Sequence, residues 1–414
     1  MKKAVIGLAI LGLLFLALPA LAGQPKEDDV DMNYDEGRVI GYELPPLLVT
    51  AEGKAVTTPE EWRNIRRPQI LALFSNFIYG SVPQPQSPIK STADVVKTDP
   101  EFLDGKATRK DIRIKFINDR GKAEMLVLVF VPNKAEKPVP ALMVHSFDNT
   151  RSGAFKANSD DKTKLGNGWP LGDLLDRGYA LVAVSQDNLV AHNEVEFQKG
   201  IHPLFYHDGQ SFPKASEWGV IAAIAWGGMR ALDYLETDKD IDAKRVAIMG
   251  HSKCGKAALW TAAQDERFAL AVAAESGCAG AALWNRNVGE TMDKMVTRFP
   301  YWLCRNAWNF AGREKDLPVD QHMLLGLIAP RPVFVYSGVD DKWADPRGEY
   351  LGAYHAGEAY RLLGKTALES EKSPEPGKPV TKSDVGYHLR EGGHSVEPYD
   401  WERIMDFMDY HLKK

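Results

Sequence analysis

Only three cysteines occur in 414 residues, Cys254, Cys278 and Cys304. At most one internal disulfide can form, so stability must come mainly from a hydrophobic core. No Cys/His set with metal-ligand spacing is visible, which argues against a structural zinc. An excess of one charge sign is also missing. With 56 Asp and Glu against 51 Lys and Arg the net charge is -5, which leaves neither the basic footprint of a nucleic-acid binder nor a polybasic membrane patch. Beyond the N-terminus no run of about 18 apolar residues follows, no internal repeat stands out, and a lipobox cysteine is lacking. The length suits one large α/β domain with insertions or two ordinary domains.

What is present begins with an export signature. Lys2 and Lys3 precede an apolar run from Ala4 to Leu18 and a small-x-small site at Ala20-Leu21-Ala22, the pattern of a signal peptide over residues 1–22. The expectation is a mature chain starting near Gly23, secreted or periplasmic and not held in a membrane. Residues 23–36 are acidic and polar and read as a frayed extension; residues 37–414 read as a single catalytic domain.

Thr58-Pro59 reads as an N-cap and first-turn proline, and Trp62, Ile65, Ile70, Leu73, Phe74 and Phe77 recur near helical spacing after it. Strand-like and helix-like pieces then alternate, the signature of a mostly parallel sheet covered on both faces. KDIRIKFI and AEMLVLVFVP suggest an antiparallel hairpin. VPALMVHSF, YALVAVSQ, KRVAIMG, FALAVAAESG and RPVFVYSGVDD read as buried strands, with helices between them and a last amphipathic helix at YDWERIMDFMDYHLKK. The Pro/Lys/Ser-rich stretch from Glu369 to Asp384 reads as a surface loop.

The chemistry starts in VAIMGHSKCGKAALWTAA, where a strand ends in Gly250, Ser252 follows His251, and a helix begins at once. This is the setting of a nucleophile elbow, whose small flanking residues permit a strained turn that exposes the hydroxyl. The spelling departs from Gly-x-Ser-x-Gly, because Cys254 takes the last glycine position and Gly255 comes one later. A serine hydroxyl needs a base, and the base needs a carboxylate to orient it. Both follow in the order nucleophile, acid, histidine that α/β-hydrolases use. Of the ten histidines, His394 in a Gly-Gly-His-Ser loop is the candidate, and His388, six positions earlier in a short strand, is the weaker one. Glu275 and Asp341 compete for the acid. Asp341 follows the strand that usually carries it, whereas Glu275 closes an apolar strand where a carboxylate is expensive to bury unpartnered.

The stretches GHSKCGKAALWTAAQDERFALAVAAESGCAGAALWNRNVGET, NFAGREKDLPVDQHMLLGLIAPRPVFVYSGVDDKWADPRGEY and GYHLREGGHSVEPYDWERIMDFMDYHL, with TPEEWRNIRRPQILALFSNFIYGSVP earlier, resemble the glucuronoyl esterases, carbohydrate esterase family 15. The resemblance spans most of the chain after the signal segment. It implies an α/β-hydrolase fold, a three-layer sandwich, and a serine esterase that cleaves the ester between (4-O-methyl-)glucuronate of glucuronoxylan and lignin alcohols, with no metal or organic cofactor. By the same resemblance Ser252 is the nucleophile, His394 the base and Glu275 the acid, with Asp341 at a second acid position. Lys256, Glu290 and Trp343 match positions that hold the sugar.

Lys253 stands where the family has an oxyanion-holding arginine; it keeps the charge but loses the planar fork. His145 and Ser146 sit in the loop region expected to supply the other backbone oxyanion donor. A general carboxylesterase or acetylxylan esterase would share this triad, and a serine peptidase of this fold lacks the propeller repeats that would support it. A noncatalytic carbohydrate-binding relative would have lost Ser252 or His394, both of which are intact.

Overall fold

The central strands of the sheet are apolar on both sides. In the hairpin strand Gly121–Pro132, Val127, Val129 and Val131 belong to one buried cluster while Leu128 and Phe130 belong to another. The strand Val139–Ser146 repeats this, with Ala141 and Met143 on one face and Leu142 and Val144 on the other. Successive side chains point to opposite faces of a strand, so a run apolar at every position must be covered twice.

The computed structural model describes residues 32–146, 169–190, 193 and 197–413. Residues 1–22, read as a signal peptide, therefore lie outside the described residues, as does most of the stretch read as an extension. Nine strands form one sheet: β1 (Lys90–Phe102), β2 (Ala107–Asn118), β3 (Gly121–Pro132), β4 (Val139–Ser146), β5 (Ala180–Ser185), β6 (Ile241–His251), β7 (Leu270–Ala274), β8 (Val333–Gly338) and β9 (Val385–Arg390), in the order β1-β2-β3-β5-β4-β6-β7-β8-β9. β1, β2, β3 and β5 pair antiparallel, and β5-β4-β6-β7-β8-β9 are parallel. The expected hairpin is β2–β3, closed at Asn118 opposite Gly121.

The helices are α1 (Pro59–Glu61), α2 (Arg67–Phe77), α3 (Leu171–Asp176), α4 (Val220–Leu235), α5 (Lys253–Gln264), α6 (Met292–Arg298), α7 (Gln321–Gly326), α8 (Pro346–Leu362) and α9 (Pro398–Leu412). α2, α4, α5, α7 and α8 pack into the core on one face of the sheet; α3 and α9 cover the other. This is the three-layer α/β arrangement expected. No helix among the described residues is long and apolar enough to cross a membrane.

Three features differ from the sequence reading. β1 was not anticipated, because almost every residue in it is exposed and no apolar alternation marks it. The helix after Thr58 starts with the expected N-cap and first-turn proline, with Glu61 completing a capping box, but then passes through a π turn, Trp62–Arg66. That wider turn leaves Ile65, assigned to the apolar face, 44% exposed, and brings Arg66 inside at 5%, where it donates to the carbonyls of Leu47 and Pro46. Finally, Asn33–Glu36 at the end of the supposed frayed segment are tied down: Gly289 donates its N–H to Asn33 O at 2.9 Å, and Arg286 pairs with Glu36.

Candidate active site

Parallel strands end at one edge of a sheet, and in open α/β folds the site lies beyond those carboxyl ends. Ser252 stands there as the single residue between β6 and α5, with φ 57° and ψ -126°. A side chain in that region stores about 1–3 kcal/mol of strain, and the surroundings must hold it. Ser252 N–H donates to Ala274 O at 2.8 Å, and Ser252 O accepts from Gly255 and Lys256 as the first turn of α5. A Cβ on Gly250 would lie 1.9 Å from Cys254 O, and one on Gly255 would meet Gly250 O at 3.0 Å. The turn thus needs glycine at 250 and is close-packed at 255, whereas the Cys254 side chain fits in the interior with Gln186 Nε2 2.9 Å from its sulfur. That explains the altered spelling.

His394 lies in the loop between β9 and α9. Its Nδ1 is 2.7 Å from Asp341 Oδ2 and 3.7 Å from Glu275 Oε2. Of the two competing carboxylates, the one hydrogen-bonded to His394 is therefore Asp341; Glu275, which the resemblance favoured, faces the same nitrogen from beyond hydrogen-bond reach. Glu275 has other partners. Its Oε2 is 3.0 Å from His251 Nε2, and its Oε1 accepts from Arg390 at 3.0 Å. Burial first, then the charge of Asp341, pushes the Glu275 carboxyl up to about 9 against the pull of Arg390. Burial first, then the charges of His394 and Arg390, holds His251 down to about 3, so its imidazole is neutral. His388 is fully buried, 3.2 Å from Asp400, and takes no place beside Ser252.

Arg390, which the sequence reading missed, organises this loop. Its guanidinium reaches Asp400 and Glu275 and donates to the carbonyls of Glu391, Gly393 and Ser395, on either side of His394. The available signal was an arginine ending an apolar strand just before Gly-Gly-His, a position where a buried charge needs partners.

Lys253 is buried, with Nζ 5.7 Å from the centre of the Trp302 ring; burial lowers its pKa, opposed by the charge of Asp187. Trp302 was also not anticipated. Lys256 and Glu290, expected at the sugar, form a buried ion pair at 2.7 Å, and the same ammonium donates to Ser276 O and Cys278 O. All three N–H donors are in use, so a sugar contact by Lys256 must replace one of these bonds. Trp343 is half-buried beneath the Arg298 guanidinium, 4.9 Å from its ring centre, and its carbonyl accepts from Glu290 N.

His145 lies within β4, with Nε2 bonded to Thr261 Oγ1 inside the core. Ser146 ends that strand, and the residues that follow, 147–168, lie outside the described residues. Cys254, Cys278 and Cys304 are free and buried. Among the described residues, His251, Glu275 and His394 are the set with metal-ligand spacing, their donor atoms all within 4.8 Å. Those atoms are engaged with one another, Asp341 and Arg390. What the arrangement can do is acyl transfer: a strained hydroxyl, a histidine oriented by a carboxylate, and backbone N–H groups at a helix start.

Comparison with known proteins agrees. A family model described as glucuronyl esterase, fungi, matches residues 167–364. A carbohydrate esterase of an unknown prokaryotic organism is 36% identical over 98% of this chain and 97% of its own length. The 4-O-methyl-glucuronoyl methylesterase 1 of Wolfiporia cocos is 27% identical over 85% of this chain and 81% of its own. The solved structure of a glucuronoyl esterase from Solibacter usitatus is similar with a TM-score of 0.83 at 36% identity, covering 91% of this chain and 99% of the other.

Proposed function

The chain belongs to the glucuronoyl esterases of carbohydrate esterase family 15, and from that premise we propose that it hydrolyses the ester between (4-O-methyl-)glucuronate of glucuronoxylan and an alcohol, with lignin alcohols as the natural leaving groups. The observation that carries the reading is Ser252 at φ 57° on the elbow, with a His394–Asp341 pair at 2.7 Å on the same edge of the sheet.

His394 takes the Ser252 proton as the hydroxyl attacks the uronate carbonyl, and Asp341 holds the imidazole in the tautomer that can accept it. The oxyanion forms beside the N–H of Lys253 at the start of α5, with the buried Lys253 ammonium adding positive charge. The protonated His394 then returns its proton to the leaving alcohol. Water, activated by the same base, releases glucuronate from Ser252. Each step balances without a metal or organic cofactor. The N-terminal segment supports export, so the substrate would be met outside the cytoplasm.

Hydrolysis of benzyl glucuronate, methyl glucuronate and 4-nitrophenyl acetate by the wild type and Ser252→Ala tests this. The expectation is a strong preference for the uronate esters and loss of all three activities in the variant at an unchanged melting temperature. Equal turnover of the acetate would identify a general carboxylesterase, and more than a few per cent residual activity in Ser252→Ala would remove the serine mechanism.

A further inference from the structure

Three ionisable side chains, His251, Glu275 and Arg390, touch the catalytic cluster without a part in the steps above. His251 stands next to the nucleophile, its ring centre 4.5 Å from that of His394. Both imidazoles face the same atom, Glu275 Oε2: His251 Nε2 at 3.0 Å and His394 Nδ1 at 3.7 Å. The second distance is about 1 Å longer than a charge-assisted hydrogen bond to a carboxylate. The Glu275 backbone is held by its N–H to Tyr336 O, and Arg390 holds its other carboxyl oxygen. The direction of Oε2 is therefore the freedom left to this side chain, and His251 takes it.

We propose that His251 selects the working acid: by holding Glu275 Oε2 it keeps that carboxyl off His394 and leaves Asp341 to orient the base. The inference rests on Ser252 and His394 acting as nucleophile and base. His251 is then a positioning residue, acting through Glu275 and touching no reacting atom. The raised affinity of Glu275 for a proton agrees, since a carboxyl held neutral is a poor partner for an imidazolium.

The test is a rescue. Asp341→Asn alone should lower kcat on benzyl glucuronate by about 10³-fold or more, the scale of an Asp to Asn change in a triad. Adding His251→Phe, which keeps the ring volume against His394 but removes the bond to Glu275, should raise kcat at least about tenfold over Asp341→Asn with KM unchanged, because Glu275 can then turn to His394. A third change, Glu275→Gln, should erase that gain. His251→Gln in the Asp341→Asn background, retaining an amide N–H toward Glu275, should gain less than the Phe variant.

A folded Asp341→Asn/His251→Phe protein no more active than Asp341→Asn overturns the proposal, as does a gain that survives Glu275→Gln. Where the Phe variant does not fold, Glu275→Gln on the wild type decides. A kcat loss below about tenfold agrees with Asp341 as sole acid, and a loss equal to that of Asp341→Asn overturns it. Ser252→Ala that remains active would instead bring down the underlying mechanism and is read separately.

Discussion

The Nδ1 of His394 lies 2.7 Å from Asp341 Oδ2, although a second carboxyl, Glu275, ends the neighbouring strand. Glu275 directly follows β7, and Asp341 comes three residues after β8. The strands are adjacent and parallel, so both carboxyls reach the same histidine loop and small differences in reach decide between them. Asp341→Asn should therefore cost about 10³- to 10⁴-fold in kcat, and Glu275→Gln less than tenfold. Steady-state kinetics on benzyl glucuronate at fixed pH reads the difference, and equal losses would refute the assignment.

Lys253 gives a second prediction. Its buried ammonium sits over Trp302, on the residue next to Ser252, so Lys253→Met should lower kcat by up to about 10²-fold with little change in KM, the mark of a contact made in the transition state. Lys253→Arg should preserve or raise kcat. Wild-type kcat in the Met variant would show that only the backbone N–H of this residue matters.

The Lys256–Glu290 pair is nearly dry, with side chains 3% and 2% exposed. Removing one partner of such a pair leaves a charge without compensation, worth about 3–5 kcal/mol. Lys256→Met should lose stability on that scale in denaturant unfolding, and Lys256→Met/Glu290→Gln should lose less than Lys256→Met alone. Additive losses would show that the pair is not coupled.

Arg390 ties five neighbours together around the histidine loop. A lysine offers one compact ammonium and cannot span Asp400 and the carbonyls flanking His394 at once. Arg390→Lys should fold, yet lower kcat by up to about 10²-fold through misplacement of His394. An unchanged kcat with a reduced melting temperature would make Arg390 purely structural.

Above pH 7 the pH dependence of stability follows from Glu349, raised by burial to about 8, and above all from Glu275. Its carboxyl is raised from an ordinary 4.5 to about 9, so the folded state keeps a proton that the unfolded chain releases. The stability this provides is present below about 4.5 and is lost as pH rises through 9. The buried His145, His202, His251 and His322, all pushed down to about 3 by burial, act oppositely: they destabilise the fold below about 6.5 and fall silent above it. The melting temperature should therefore drop between pH 7 and pH 9, and Glu275→Gln should make that drop shallower while leaving the share of Glu349. A flat wild-type profile over this range would contradict the raised Glu275.

The elbow, the strand sequence and the last helix were legible in the amino acids alone. A parallel strand buried on both faces must be a continuous apolar run, and a strained turn between strand and helix must be flanked by glycine. The position of His394 was legible too, as the polar loop residue between the last strand and the last helix. β1 was not, because an exposed edge strand buries nothing and leaves no pattern; neither was the π turn that moves Ile65 outward and Arg66 inward.

The partners of buried charges were decided by tertiary structure. Asp341 and Glu275 are 66 residues apart in the chain, His394 is 53 beyond Asp341, and nothing local ranks the two acids. Only the parallel register of β7, β8 and β9 sets which carboxyl meets the imidazole, which one Arg390 and His251 hold, and that Lys256 spends its donors on Glu290 and two carbonyls. Hydrophobic burial leaves a periodic mark in a sequence because it depends on which face a residue occupies. Hydrogen bonds and ion pairs among buried groups leave none, because they depend on angstrom distances between residues that the fold alone brings together.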